Sequence, residues 1–350
     1  MIDFRYHLVS LVSVFLALAV GVVLGAGPLR GQIADSLSNS VEQLRAEKDL
    51  LRTERDVAEA GVKNRETFTK QLTPVVVANR LPGRSVVLVT LPDSDGDAVE
   101  PLTKTLQAAG AVVTGRVDLK PAWIVADKAA DRRELAQTWA GVLTTPSLPV
   151  PSASPTPSAP AGQAPSKGGT DSEAVLAALL ARTLVTLNPL EVSRADPVGR
   201  QVLDAFAKKG LLSVRGDLTR RANQVVVLAP GVDQALAGAP TPSPSPSADP
   251  SPAWAELVLT LDGASNGAVL LGPASAATAG GVLAAVRGNS VAVRQVSTVD
   301  TGGSPMGDLT VVLALREQGG GTAGSYGFGK GAAAPLPTAV VDAAARGPAS

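Results

Sequence analysis

From Leu8 to Leu29 the chain carries no charged side chain, an apolar run of 22 residues, "LVSLVSVFLALAVGVVLGAGPL". As a helix rising ~1.5 Å per residue it covers ~33 Å, enough for a hydrocarbon core of ~30 Å. Apolar residues cover every face, which disfavours a helix packed on a soluble core. A secretory signal has a positive start and only ~7–15 apolar residues. Here the run is longer and Asp3 offsets Arg5. Gly25-Ala26-Gly27 has the small residues of a cleavage site, but Pro28 would follow the cut and hinder it. The expectation is an uncleaved single-pass anchor over residues 1–30 with membrane lipid as its first partner; a cleaved signal is the main alternative.

Ser13, Ala17, Gly21 and Gly25 recur every four residues, on one helix stripe. Small stripes let two helices approach closely in lipid, so the expectation is a homo-oligomer that packs here. Gly and Ala are also common in membrane helices without such a role. Orientation by flanking Lys and Arg is a tie: Arg5 and the amino terminus lie before the span, Arg30 and Arg45 after it.

Gly27, Pro28 and Gly31 predict a break, and then a second helix over about residues 33–72, rich in Glu, Arg, Lys, Leu and Ala. Leu37, Leu44, Leu51, Ala58, Arg65 and Leu72 fall seven apart. The positions four further on are Val41, Lys48, Arg55, Val62 and Thr69. An apolar seam (Leu37, Val41, Leu44, Leu51, Ala58, Val62, Leu72) beside a mixed one predicts a short coiled-coil stalk over 31–73. A helix packed on its own domain is the alternative. At ~1.5 Å per residue the stalk would hold the next domain up to ~60 Å away. Pro74 marks its expected end.

Residues 74–340 read as an open α/β sandwich. Ser85–Leu91 predicts a buried strand, 97–109 a helix with Asp97 and Glu100 spaced as a capping box, and 111–117 the next strand, a β-α-β unit with parallel pairing. Further strands are expected at 211–214, 224–228, 268–271 and 290–296. Helices are expected at 171–187, 197–209 and 274–287. Two Pro/Ser/Thr-rich tracts, 145–169 and 239–253, predict disordered insertions. Such tracts are typical O-glycosylated segments of exported proteins, which favours an inside N-terminus and an extracytoplasmic main domain. After Gly319 the chain is Gly-rich and reads as irregular, with 341–350 a disordered tail.

Net charge is zero, with 31 Lys+Arg against 31 Asp+Glu, so no basic surface argues for nucleic acid. No cysteine is present, which excludes disulfides and thiolate metal sites. Gly263-Ala-Ser-Asn-Gly267 matches G-x-S-x-G, but the only histidine, His7, cannot serve as its base, so a turn is the better reading. Gly324-Ser-Tyr-Gly-Phe-Gly-Lys330 matches a P-loop until Gly331 replaces the Ser/Thr that holds Mg²⁺. Asp93, Asp95 and Asp97 follow the first strand, where open α/β sheets bind ligands, yet lack the Gly and Glu of a calcium loop, so a solvated, helix-capping loop is the better reading. Soft ligands are limited to Met1 and Met306, so no tightly bound copper site is expected. No catalytic, cofactor-binding or metal-ligating residue is assigned.

The opening "FRYHLVSLVSVFLALAVGVVLGAGPL" (4–29) and the C-terminal "STVDTGGSPMGDLTVVLALREQGGGTAGSYGFGKGAAAPLP" (297–337) resemble the MctB family, the mycobacterial copper transport protein B group of actinobacteria. "VSTVD" and "GSYGFG…LP" carry the match at the far end. The resemblance implies an envelope protein that limits intracellular copper, proposed to act as an outer-membrane channel, and implies no site residue. The physical reading sits uneasily with a channel. One apolar helix cannot line a pore alone, and no series of ~10-residue lipid-facing strands is visible. A non-enzymatic scaffold binding envelope proteins through coiled coil and domain is the alternative; an envelope enzyme is disfavoured by the missing base and ligands.

Overall fold

The computed structural model describes residues 4–26, 28–144, 171–192, 194–232 and 249–337. Most of the two Pro/Ser tracts and the 341–350 tail lie outside them. The chain divides into two compact units, Met1–Arg65 and Glu66–Ser350.

The first unit holds helix α1, Phe4–Ala26, and most of α2, Pro28–Val77. Pro28 opens α2 at a position where its missing N–H costs nothing. Gly31 therefore does not break the helix, contrary to expectation. Pro74 does not end it either, and α2 runs on to Val77. In the second unit Val77 and Leu81 are buried in a core cluster with β1 and α3, and the Leu81 N–H donates to the Ala109 carbonyl at 2.9 Å. Burial of those side chains outweighs the one hydrogen bond a proline removes.

The second unit is built on a sheet of seven strands: β1 Ser85–Thr90, β2 Val112–Leu119, β3 Leu212–Arg215, β4 Gln224–Leu228, β5 Ala268–Leu271, β6 Ser297–Val299 and β7 Ser325–Tyr326. Their order is β3-β2-β1-β4-β5-β6-β7. All neighbours pair in parallel except β2 with β3. The antiparallel edge strand brings the end of β3 to the sheet edge where β4 starts. Residues 216–223, reaching at most ~26 Å, then suffice to cross three strand spacings of ~4.8 Å beneath β2 and β1.

Alternation along the strands separates two cores. Val87 and Val89, with Val225 and Val227, face one cluster; Val86 and Leu88, with Val226 and Leu228, face the other. The first is covered by α4 (Ala129–Trp139), α5 (Asp171–Leu184), α6 (Pro197–Lys208), α7 (Ser251–Gly263) and α8 (Val282–Gly288). Within it Trp123 meets Phe206 edge to face at 5.8 Å between ring centres. The second is covered by α3 (Val99–Ala108) and α10 (Pro305–Gln318), with the end of α2. The sandwich is thus open, with helices on both faces.

Several local expectations are corrected. Asp97 and Glu100 form no capping box, since α3 starts from Ala98 without a side-chain cap. The strand expected at 290–296 is instead a short helix, α9 (Ala292–Gln295), followed by β6. Asn289 drives this by accepting from the Val291 and Ala292 N–H groups at 2.9 and 3.1 Å. The helix expected over 274–287 is a 3-10 turn, Ala274–Ala277, then α8, interrupted at Gly280 with φ +82°. The tract 239–253 ends in order: Asp249 accepts the Ser251 N–H at 2.9 Å, where α7 begins.

Candidate functional site

The Gly-rich P-loop look-alike binds an anion, but an internal one. The Phe328 and Gly329 N–H groups donate to the Asp300 carboxylate at 2.8 and 2.9 Å. Gly327, at φ +119°, leaves no room for a side chain: a Cβ there would overlap Asp300 Oδ1. Asp300 is in turn paired with Arg287, which also donates to the Tyr326 and Lys330 carbonyls. The N–H groups of Gly327, Phe328 and Gly329 are therefore engaged in holding residues 325–334 to the sheet. "VSTVD" and "GSYGFG" form one interlocked element rather than a nucleotide site.

An open cavity of about 390 Å³ lies at the C-terminal ends of β1 and β6. The β1–α3 loop is tied to the end of β4, through the Leu91 N–H and the Ser94 hydroxyl donating to the Leu228 carbonyl at 2.9 and 2.8 Å. The β6–α10 loop is tied to the end of β5 by the Gly302 N–H donating to the Gly272 carbonyl at 2.8 Å. Ser304 caps α10 by accepting the Gly307 N–H at 3.2 Å. These anchors bring Asp95 and Asp97 from one loop and Asp308 from α10 to the same cavity. Its apolar walls are Pro74, Ala98, Pro101, Ala108 and Pro305; Lys70 and Lys104 complete the charged lining.

The charged groups are not equivalent. Lys104 is engaged by Glu100 at 2.6 Å, and this contact holds the Glu100 carboxyl below its ordinary range. Asp95 is exposed and accepts the Asp97 N–H at 2.9 Å. Asp308 is 5% exposed, and among the described residues its carboxyl has no hydrogen-bond or ion-pair partner. Burial pushes its pKa up to about 7. Asp93 takes no part: it is exposed at φ 62° and does not line the cavity. Asp308 carried no sequence signal, because a single Asp in a helical run does not reveal its burial.

The chemistry available is acceptor chemistry by oxygen. Among the described residues no three His, Cys, Asp or Glu side chains stand together as a metal site. The G-x-S-x-G serine, Ser265, sits in the turn between α7 and β5, its hydroxyl donating to the Asp262 carbonyl at 3.3 Å. The expected membrane stripe lies along α1, where Tyr6–Leu24 has a mean hydropathy of 2.5 and none of that window is buried. The Ser13 hydroxyl donates back to the Val9 carbonyl at 2.8 Å, a Cβ at Gly21 would meet nothing within 4 Å, and Ala17 is exposed. Of the expected seam on α2, Leu44 and Leu51 are 64% and 56% exposed, and Val41, Ala58, Val62 and Leu72 are exposed too. The exposure of Gly25 and Leu37 is not described.

Residues 1–337 match the model of a family described as "Copper transport outer membrane protein, MctB". The chain belongs to the MctB family. It is 29% identical over 334 residues to "Copper transporter MctB" of Mycobacterium tuberculosis, covering 95% of this chain and 98% of the relative. The same figures hold for the protein of that name from Mycobacterium bovis. The Mycobacterium leprae protein is 29% identical over 338 residues, 95% of this chain and 98% of its own length. The MctB match includes the apolar α1, α2 and the interlocked C-terminal element alike.

Proposed function

We propose that this chain is a non-enzymatic, membrane-anchored envelope protein that acts in limiting intracellular copper. The observation that carries the reading is the family match from residue 1 through 337, which makes α1 part of the shared architecture. In this reading α1 is an uncleaved single-pass anchor and the α/β unit is extracytoplasmic. Copies associate through the Ser13–Ala17–Gly21–Gly25 stripe and through the exposed α2 seam as a coiled coil. Each copy supplies one apolar helix, and the seven strands are sandwiched between helix layers rather than turned to lipid. A conduit would therefore need several copies or another protein. The test is a deletion strain complemented with the full chain or with residues 28–350. Copper accumulation and sensitivity cured only by the full chain support the proposal; a deletion strain with ordinary copper content overturns it.

A second reading is a scaffold that binds envelope proteins. It is favoured by the exposed apolar seam of α2. Envelope defects in the deletion strain without a copper phenotype would select it.

A further inference from the structure

The geometry points to the cavity between α3, α10 and the end of α2 as a binding site for a small aliphatic ammonium ion, with Asp308 as its buried counter-ion and Asp95 and Asp97 at its mouth. Three observations lead there. The cavity, about 390 Å³, falls within the ~300–1,000 Å³ of ligand pockets. Its apolar walls are prolyl and alanyl, fit for methylene groups. Of the two polar side chains buried in it, Thr73 donates to the Thr69 carbonyl at 2.7 Å, while Asp308 has no partner among the described residues. A buried carboxylate without a partner is costly, and a cation that enters the cavity relieves that cost.

Other occupants fit less well. A metal ion finds no cluster of three ligands among the described residues. Copper(I) would find only oxygen, and it prefers sulfur. An anion meets three carboxylates, while one of the two lysines is already engaged by Glu100 at 2.6 Å. The N-terminus of α10 opposes a cation with about half a unit charge, less than the acidic groups supply. An ammonium on a short alkyl stem matches both parts of the site: its N–H groups donate to carboxylate oxygens and its stem lies against Pro74, Pro101 and Pro305. The loop that holds Asp95 faces Gly303, with Asp95 Oδ2 3.7 Å from where a Cβ would stand, so any larger residue at 303 narrows the mouth.

This inference does not depend on the copper reading, because it concerns another ligand and is tested on purified protein. The full chain in detergent micelles is titrated calorimetrically with n-butylammonium chloride. The expected result is saturable binding of one equivalent, weakened at least tenfold in Asp308→Asn. Asp95→Asn, at the exposed mouth, should weaken it about threefold, and Asp93→Asn should leave it unchanged. Asp308→Asn must keep the wild-type unfolding midpoint or exceed it; should it unfold, Asp95→Asn alone decides. No saturable binding overturns the inference. So does unchanged affinity in Asp308→Asn and Asp95→Asn, or tighter binding of acetate or of copper at the same cavity.

Discussion

Arg287 and Asp300 form an ion pair at 2.9 Å with only 4% and 1% of their side chains exposed. It joins α8 to the end of β6, and through Asp300 it reaches the backbone of Phe328 and Gly329. Arg287→Ala leaves that carboxylate buried without its cation, a change that costs about 3–5 kcal/mol. Urea unfolding should show the loss, and limited proteolysis should cut within 325–337 faster than in wild type.

The Asp308 carboxyl has a pKa of about 7 in the folded protein, against ~3.9 in an unfolded chain. Between those values the folded state keeps a proton that the unfolded state has released. Stability should therefore fall as pH rises from ~4 to ~7 and level off above, by on the order of 4 kcal/mol. Asp95, Asp97, Lys70 and Lys104 are the charged groups facing it across the cavity. Asp308→Asn should flatten the slope in part. Asp262, also raised to about 7 by burial, contributes with the same sign and remains. Thermal unfolding at several pH values measures this.

Phe206 is fully buried against Trp123. Phe206→Ala should cost about 3–5 kcal/mol through lost burial and the cavity left behind. The denaturant midpoint should drop while the slope stays constant.

On the proposed coiled coil, Leu44→Asp with Leu51→Asp should shift the detergent-solubilised protein toward monomer in sedimentation. Both side chains are exposed on the single helix, so the unfolding midpoint of the α/β unit should move by less than ~0.5 kcal/mol equivalent.

In the membrane, Gly21→Leu should abolish self-association of α1 in a two-hybrid reporter for membrane helices. A side chain at Gly21 meets nothing within the single helix, so a loss would report contact between copies.

Local covalent order alone determined the parts of this protein that need no distant partner. The run from Leu8 to Leu29 is a candidate membrane span by length and lack of charge, and 224–228 and 268–271 are strands by their short, almost wholly apolar runs. The acidic loop holding Asp95 and Asp97 was legible as lying at a strand's C-terminal end, and so was half the candidate site. Tertiary structure decided the rest. Helix α10 is absent from the sequence-based expectations because Val311 to Leu315 are buried on successive faces, which erases the helical period. The direction of β3 follows from where β4 must begin. The Gly-rich segment closes on Asp300, and Asp308 loses its solvent, only because elements far apart in the chain pack against one another. Propensity and periodicity are written in neighbouring residues; burial and pairing depend on what folds opposite.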